Sequence, residues 1–274
     1  LNNLEFDHAD IYPDLKSIQT QFHHLVRTIP GNGLIVCNAQ DANLESVLDQ
    51  GCWSQLQRFA LQEAAEWQVD LISPDGSQLA FSRSGQTVGT IEWEMCGQHN
   101  AMNACAALAA CVAAGVDSHT ALAGLAAFSG VKRRLELLST LDDIHVYDDF
   151  AHHPTAIRLT LEGLRRNVGN ARLLVALEPR SNTMRAGHHI AELGPALVAA
   201  DKVWLMAGGG IDWDPQQALR PLDGRGKVVI RSDDLLQQLM DAVRQGDHVV
   251  FMSNGGFESA PSRFCKLLKN NRHD

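Results

Sequence analysis

From Gly130 onward, short apolar runs take turns with stretches whose apolar positions recur at helical spacing. The runs fall at Ile144–Tyr147, Leu173–Leu177, Val203–Met206, Val228–Ile230 and Val249–Met252. Helical periodicity fills the intervals, over Pro154–Val168 (Ile157, Leu161, Leu164 and Val168), His188–Ala200, Asp233–Arg244 and Ser262–Lys269. Such an alternation predicts an α/β fold with a mostly parallel, doubly wound sheet. Residues 1–128 have a different texture. Leu15, Ile18, Phe22, Leu25 and Ile29 mark a helix closed by Pro30-Gly31, Leu34–Cys37 reads as a buried strand, and Asp41 caps a short helix to Leu48. Between Arg58 and Met95, brief runs rich in Val, Ile, Phe and Trp are broken by Ser73-Pro74-Asp75-Gly76 and Ser84-Gly85, which predicts antiparallel strands with tight turns. Asn100–Ala114 is almost wholly small or apolar and suits a helix packed closely on a sheet; Ser118 caps a further short helix through Phe128. Two domains are expected, 1–128 and 129–274.

In a parallel sheet the loops that follow successive strands share one edge, where such folds receive ligands. Here those loops are Asp148–His153, Glu178–Gly187, Ala207–Asp214 and Ser253–Pro261, and they hold most of the polar and glycine-rich residues of this half.

Composition narrows the classes. With 45% hydrophobic and 20% charged residues the chain reads as globular, and a net charge of −9 argues against an electrostatic grip on nucleic acid. No run approaches the roughly 20 apolar residues of a membrane helix. The six cysteines form no close C-x-x-C pair and read as reduced, buried residues of a cytoplasmic protein. The chain opens on Leu1, which suggests a piece of something longer.

Four stretches carry candidate chemistry. Asp148-Asp149-Phe150-Ala151-His152-His153-Pro154-Thr155 sets two acids and two imidazoles between a strand and a helix; by itself it is equally an Asx turn with two histidines. Glu178-Pro179-Arg180-Ser181-Asn182-Thr183-Met184-Arg185 offers two guanidiniums with amide and hydroxyl donors, suited to an anionic guest. Gly130-Val131-Lys132-Arg133-Arg134-Leu135-Glu136 places three cations together near the domain junction. Gly97-Gln98-His99-Asn100-Ala101-Met102-Asn103 opens the alanine-rich helix with two amides on one side, each presenting a donor and an acceptor as an adenine edge requires. Asp7-His8-Ala9-Asp10 has metal-ligand residue types that are also turn residues. Gly224-Arg225-Gly226-Lys227 lacks the Ser or Thr and the spacing of a phosphate loop. Ala207-Gly208-Gly209-Gly210 and Asn254-Gly255-Gly256 mark close backbone approach.

Asn3-Leu4-Glu5-Phe6-Asp7-His8 and the stretches Gly97–Asn103, Gly130–Glu136 and Asp148–Thr155 together resemble the Mur ligases in the same order along the chain. The resemblance implies an ATP-dependent amide-bond ligase of three domains, the last Rossmann-like and the middle a P-loop-type ATPase. Its reaction would be phosphorylation of a carboxylate, amine attack on the acyl phosphate, and loss of phosphate. Glu178–Arg185 favours the branch that joins UDP-N-acetylmuramate to L-alanyl-γ-D-glutamyl-meso-diaminopimelate in peptidoglycan recycling over the branch that adds L-alanine. By position, the resemblance makes His8 a magnesium ligand, Asn100 and Asn103 adenine contacts, and Arg134, less so Arg133, the contact to nucleotide phosphates. Asp149 becomes the acid that approaches the nucleotide, and His152, His153, Arg180, Asn182 and Arg185 the holders of the peptide. The family's phosphate loop and its UDP-binding domain have no counterpart here, so the chain is expected to be a C-terminal fragment that does not ligate alone. A metal-dependent phosphoesterase built on Asp148, Asp149, His152, His153 and His8 is the competing reading.

Overall fold

A computed structural model describes residues 1–271 and divides into two compact units, Leu1–Ser129 and Gly130–Asp274. The first unit contains α1 (Leu15–Thr28), β1 (Leu34–Asn38), α2 (Ala42–Leu48), β2 (Gln55–Leu61), β3 (Trp67–Leu71), β4 (Gln78–Arg83), β5 (Gln86–Glu92), α3 (Gln98–Ala113) and α4 (Ser118–Ala126). Its five strands pair in sequence order. Ile35 and Cys37 of β1 point to a core shared with Ile18 and Val26 of α1 and Leu44 and Val47 of α2. The opposite face of the sheet, with Phe59, Trp67, Val69, Leu79 and Phe81, packs on Ala101, Ala104, Cys105, Leu108 and Ala109 of α3. Those five positions form one helical stripe, and all but Leu108 are small, which lets the helix lie close to the strands.

Two sequence expectations need correction in this unit. Only the β3–β4 and β4–β5 pairs are antiparallel, whereas β2 runs parallel to both β1 and β3. A parallel link of a few residues works because just three residues pair, Phe59 with Trp67 through Leu61 with Val69, so the chain steps back only slightly. Asp41 caps α2 as expected, accepting from Asn43 N and Leu44 N, but α4 is capped by Asp117, whose carboxylate accepts from Thr120 N, and not by Ser118.

The second unit contains β6 (Glu136–Leu141), β7 (Ile144–Asp149), α5 (Pro154–Val168), β8 (Leu173–Leu177), α6 (Asn182–Arg185), α7 (Ile190–Ala196), β9 (Lys202–Met206), α8 (Pro215–Leu219), β10 (Gly226–Val229), α9 (Ser232–Ala242), β11 (His248–Met252) and α10 (Ala260–Asn270). The strand order is β10-β9-β8-β11-β7-β6, parallel throughout except for the β6–β7 hairpin. Central strand β8 is buried at every position. Leu173, Val175 and Leu177 meet Ile157, Leu161 and Leu164 of α5 and Leu193 of α7, while Leu174 and Ala176 meet Leu235 and Leu239 of α9 and Phe264 of α10. Helices on both faces make the sheet doubly wound, as expected. Strand β6 was not foreseen, and the expected helix His188–Ala200 is shorter, with Pro195 inside its last turn. Proline has no N–H to donate there.

Among the described residues, no helix is long and apolar enough to cross a membrane. Cys37, Cys96 and Cys105 are buried, Cys52 and Cys265 are half-buried, and Cys111 is exposed, against the expectation that the cysteines lie inside.

Candidate functional site

In the second unit, β7, β8 and β11 end level with one another, Met252 pairing with both Asp149 and Leu177. Their loops therefore emerge side by side. Asp149 closes β7 and is 2% exposed. One carboxylate oxygen accepts from Ala151 N at 2.6 Å and the other from Leu135 N at 2.6 Å. Burial pushes its pKa up despite those two donors and the nearby Arg134. Asp149 thus ties the β7 loop to the segment before β6, with both oxygens committed to the backbone. Neighbouring Asp148 pairs with Arg133 Nε at 3.1 Å, and burial outweighs that partner to raise its pKa as well.

The two arginines of the 130s divide their work. Arg133 donates to the Ser253 carbonyl at 2.6 Å and the Gly255 carbonyl at 2.9 Å besides Asp148, so its guanidinium is consumed in joining two loops. Arg134 is exposed, with its guanidinium 5.5 Å from the centre of the Phe150 ring. An anion can reach Arg134.

His152 Nδ1 lies 3.1 Å from the Phe150 carbonyl, and its ring meets Phe150 edge-on at 5.6 Å. His153 caps α5, its Nδ1 accepting from Thr155 N, and its ring stands 4.5 Å from that of His189. One loop over, buried Glu178 accepts from Ser253 Oγ at 2.6 Å and lies 3.8 Å from the exposed Arg180. A Cβ at Gly255 would press into the Arg180 stem, so glycine lets the two loops lie close. Asn182 is exposed at the start of α6, which Ser181 caps. Arg185 ends α6. Its Nε is buried without a hydrogen-bond partner, its guanidinium faces Gly210, and its carbonyl accepts from Asp212 N at 3.0 Å. Sequence reasoning missed the Ser253 and Gly255 carbonyls as arginine acceptors, since backbone acceptors leave no trace in residue type. The glycines beside them were the available signal.

In the first unit, Asn100 donates its amide to the Cys96 carbonyl at 2.7 Å, and the Asn103 oxygen accepts from Asn2 at 2.8 Å. Asn100 retains an acceptor and Asn103 a donor, which fits the two-sided edge of a purine. His8 is exposed in a left-handed turn, with its N–H on Asp7 and its carbonyl accepting from Ile11 N and Tyr12 N. Among the described residues, no group of three or more His, Cys, Asp or Glu side chains could hold a metal ion. The donor set around His8 therefore does not make a magnesium site by itself. The phosphoesterase reading gains no support either, because among the described residues Asp148, Asp149, His152, His153 and His8 form no such group.

A doubly wound unit with arginine-bearing loops at its carboxyl edge, preceded by a mixed-sheet unit with an alanine-rich helix, defines a class. Residues 1–111 match the Mur ligase middle domain and residues 133–255 match the Mur ligase, glutamate ligase domain. The chain belongs to the Mur ligases. It is 43% identical, over 94% of its length and 56% of that protein, to the UDP-N-acetylmuramate–L-alanyl-γ-D-glutamyl-meso-2,6-diaminoheptandioate ligase of Escherichia coli K12. It is 32% identical, over 93% of its length and 56% of that protein, to the UDP-N-acetylmuramate–L-alanine ligase of Acidothermus cellulolyticus. The crystal structure of a murein peptide ligase from Psychrobacter arcticus is similar, with TM-score 0.72 and 40% identity over 98% of this chain and 57% of that one. The chain spans about half the length of the curated relatives it matches.

Proposed function

We propose that this chain supplies the adenine contacts, a phosphate contact and the peptide-holding loops of an ATP-dependent ligase. Its reaction joins UDP-N-acetylmuramate to the L-alanyl-γ-D-glutamyl-meso-diaminopimelate peptide through an acyl phosphate, in cytoplasmic peptidoglycan recycling. The observation that carries the reading is the set of guanidiniums at the carboxyl edge of the second unit: Arg134 and Arg180 exposed, and Arg185 with an unspent N–H.

Each has a distinct task. Arg134 meets phosphate, where its charge offsets the negative charge that builds as carboxylate oxygen approaches phosphorus. Arg180, Asn182 and Arg185 hold the carboxylates of the peptide, for which a planar two-donor fork is suited. His152 and His153 flank that loop as further peptide contacts, and Asn100 and Asn103 receive adenine. Asp149 acts by holding Leu135 N and Ala151 N in place, a positioning role in place of the direct nucleotide contact that the resemblance implies. ATP supplies the phosphoryl group that activates the carboxylate. His8 is one donor of the kind magnesium chemistry uses.

The test is release of ADP by the full-length ligase given ATP, magnesium and UDP-N-acetylmuramate, with the tripeptide or free L-alanine as amine. Tripeptide-dependent release supports the reading. Release with alanine alone transfers the chain to the alanine-adding branch, and none with either amine refutes the assignment.

A further inference from the structure

Arg134 sits between two residues in the left-handed region, Arg133 at φ 58° and Leu135 at φ 50°. Neither is glycine, asparagine or aspartate, so each conformation is disfavoured and persists only where surrounding bonds impose it. Those bonds are present. Glu136 Oε2 accepts from Arg133 N at 2.8 Å, the Arg133 carbonyl accepts from Phe150 N at 2.7 Å, and Asp149 accepts from Leu135 N. The backbone on either side of Arg134 is clamped, while its guanidinium lies over the Phe150 ring, 5.5 Å from the centre. That ring is itself held. The Arg133 guanidinium, pinned by Asp148 and two carbonyls, lies 5.3 Å from its centre, and His152 meets it edge-on at an interplanar angle of 88°.

We infer that Phe150 is a positioning residue: its π-face holds the Arg134 guanidinium in the place from which it meets an anion. The inference rests on the assignment of Arg134 to phosphate given above. A guanidinium over an aromatic face is attracted by the ring quadrupole while its N–H groups, which lie in the guanidinium plane, stay available to a ligand. An aliphatic side chain of similar bulk would fill the space without that attraction and would leave Arg134 to sample its rotamers.

The experiment is a double-mutant cycle in the full-length ligase, with a second readout that needs no nucleotide. Phe150→Leu should lower kcat/KM for ATP about fivefold, from the magnitude of a partly exposed cation–π pair. Phe150→Tyr should restore it to within about twofold on the same ground. In an Arg134→Ala background, Phe150→Leu should add no further loss, because its effect passes through Arg134. Independent, multiplicative losses overturn the inference, as does an unimpaired Phe150→Leu enzyme when Arg134→Ala is impaired. If Arg134→Ala is itself without effect, the phosphate assignment fails and the spectroscopic arm decides the positioning claim. In NMR spectra of the present chain, the Arg134 side-chain methylene protons should be displaced upfield by the ring current and return to ordinary positions in Phe150→Leu but not in Phe150→Tyr. Ordinary positions in the unsubstituted chain overturn it.

Discussion

Replacing Asp149 by Asn tests the clamp at the end of β7. The two side chains are nearly isosteric, yet an amide has one oxygen where the carboxylate has two. Either Leu135 N or Ala151 N, each now bonded at 2.6 Å, must face an NH2 group. A buried donor left without an acceptor costs about 1–3 kcal/mol, and the surviving bond loses its charge assistance. Relief of the buried charge offsets part of this, so a net loss of about 2 kcal/mol is expected at pH 7. The pH dependence has a definite sign. Burial raises the folded-state pKa of Asp149 above its ordinary value, so its contribution is complete below the unfolded-state value and is lost as pH rises through the folded one. The gap between parent and Asn variant should therefore widen on acidification from neutral pH toward the ordinary carboxylate range. Hydrogen exchange of β8 amides reports the opening of this unit alone, read across pH in both proteins. A gap below about 0.5 kcal/mol at pH 7, within the range of an ordinary surface substitution, or one that narrows on acidification, would refute the clamp.

Further outcomes follow from other sites. Arg133→Gln should destabilise the second unit, by about 2 kcal/mol on the same exchange assay, since it releases Asp148 and two loop carbonyls, whereas exposed Arg134→Ala should change stability by less than about 0.5 kcal/mol. Gly194→Ala should cost about 3 kcal/mol, because a Cβ there would collide with the Ala218 carbonyl and Pro221, and backbone cannot yield as a side chain does; thermal unfolding measures it. His248, stacked 4.6 Å from His145 and bonded to the Tyr147 hydroxyl, has its pKa pushed down to about 4 by burial and then by His145. Stability from keeping it neutral should be lost as pH falls from about 6.5 toward that value, by about 1–2 kcal/mol after discounting for partial exposure, and His248→Gln should flatten the slope. In the full-length protein, the proposed peptide-holding role means that Arg185→Ala should raise KM for the peptide far more than KM for ATP; equal increases would count against that proposal.

The sheet of the second unit was legible because its central strands β8, β9 and β11 are buried on both faces, which leaves continuous apolar runs such as Leu173–Leu177 between amphipathic helices. Strand β6 was not, since the edge position leaves Leu137 and Leu138 largely exposed and erases the alternation that would mark a strand. Its hairpin turn is Asp142-Asp143, both at positive φ, a pairing weaker as a sequence signal than Asn-Gly or Asp-Gly. The parallel pairing of β2 with β3 is a matter of register, which residue types alone do not express. Within the site, the arginines were visible as chemistry but not as roles. Nothing in the pair Arg133-Arg134 distinguishes the side chain that braces loops from the one left for solvent. That division depends on carbonyls at Ser253 and Gly255, 120 and 122 residues away.

The strand order carries a consequence for how the second unit comes together. Strands β7 and β8 are successive along the chain, yet β11 lies between them, so neither has its inner neighbour until the last strand has been made. A nascent or truncated chain ending before His248 holds a β6–β7 hairpin and a β8–β9–β10 ribbon with unpaired edges facing each other. Closure of the sheet is a late, long-range event, of the kind that slows folding and leaves edges open to pairing with other chains. Peptides from β11 added in trans would compete for that gap during refolding but not after it.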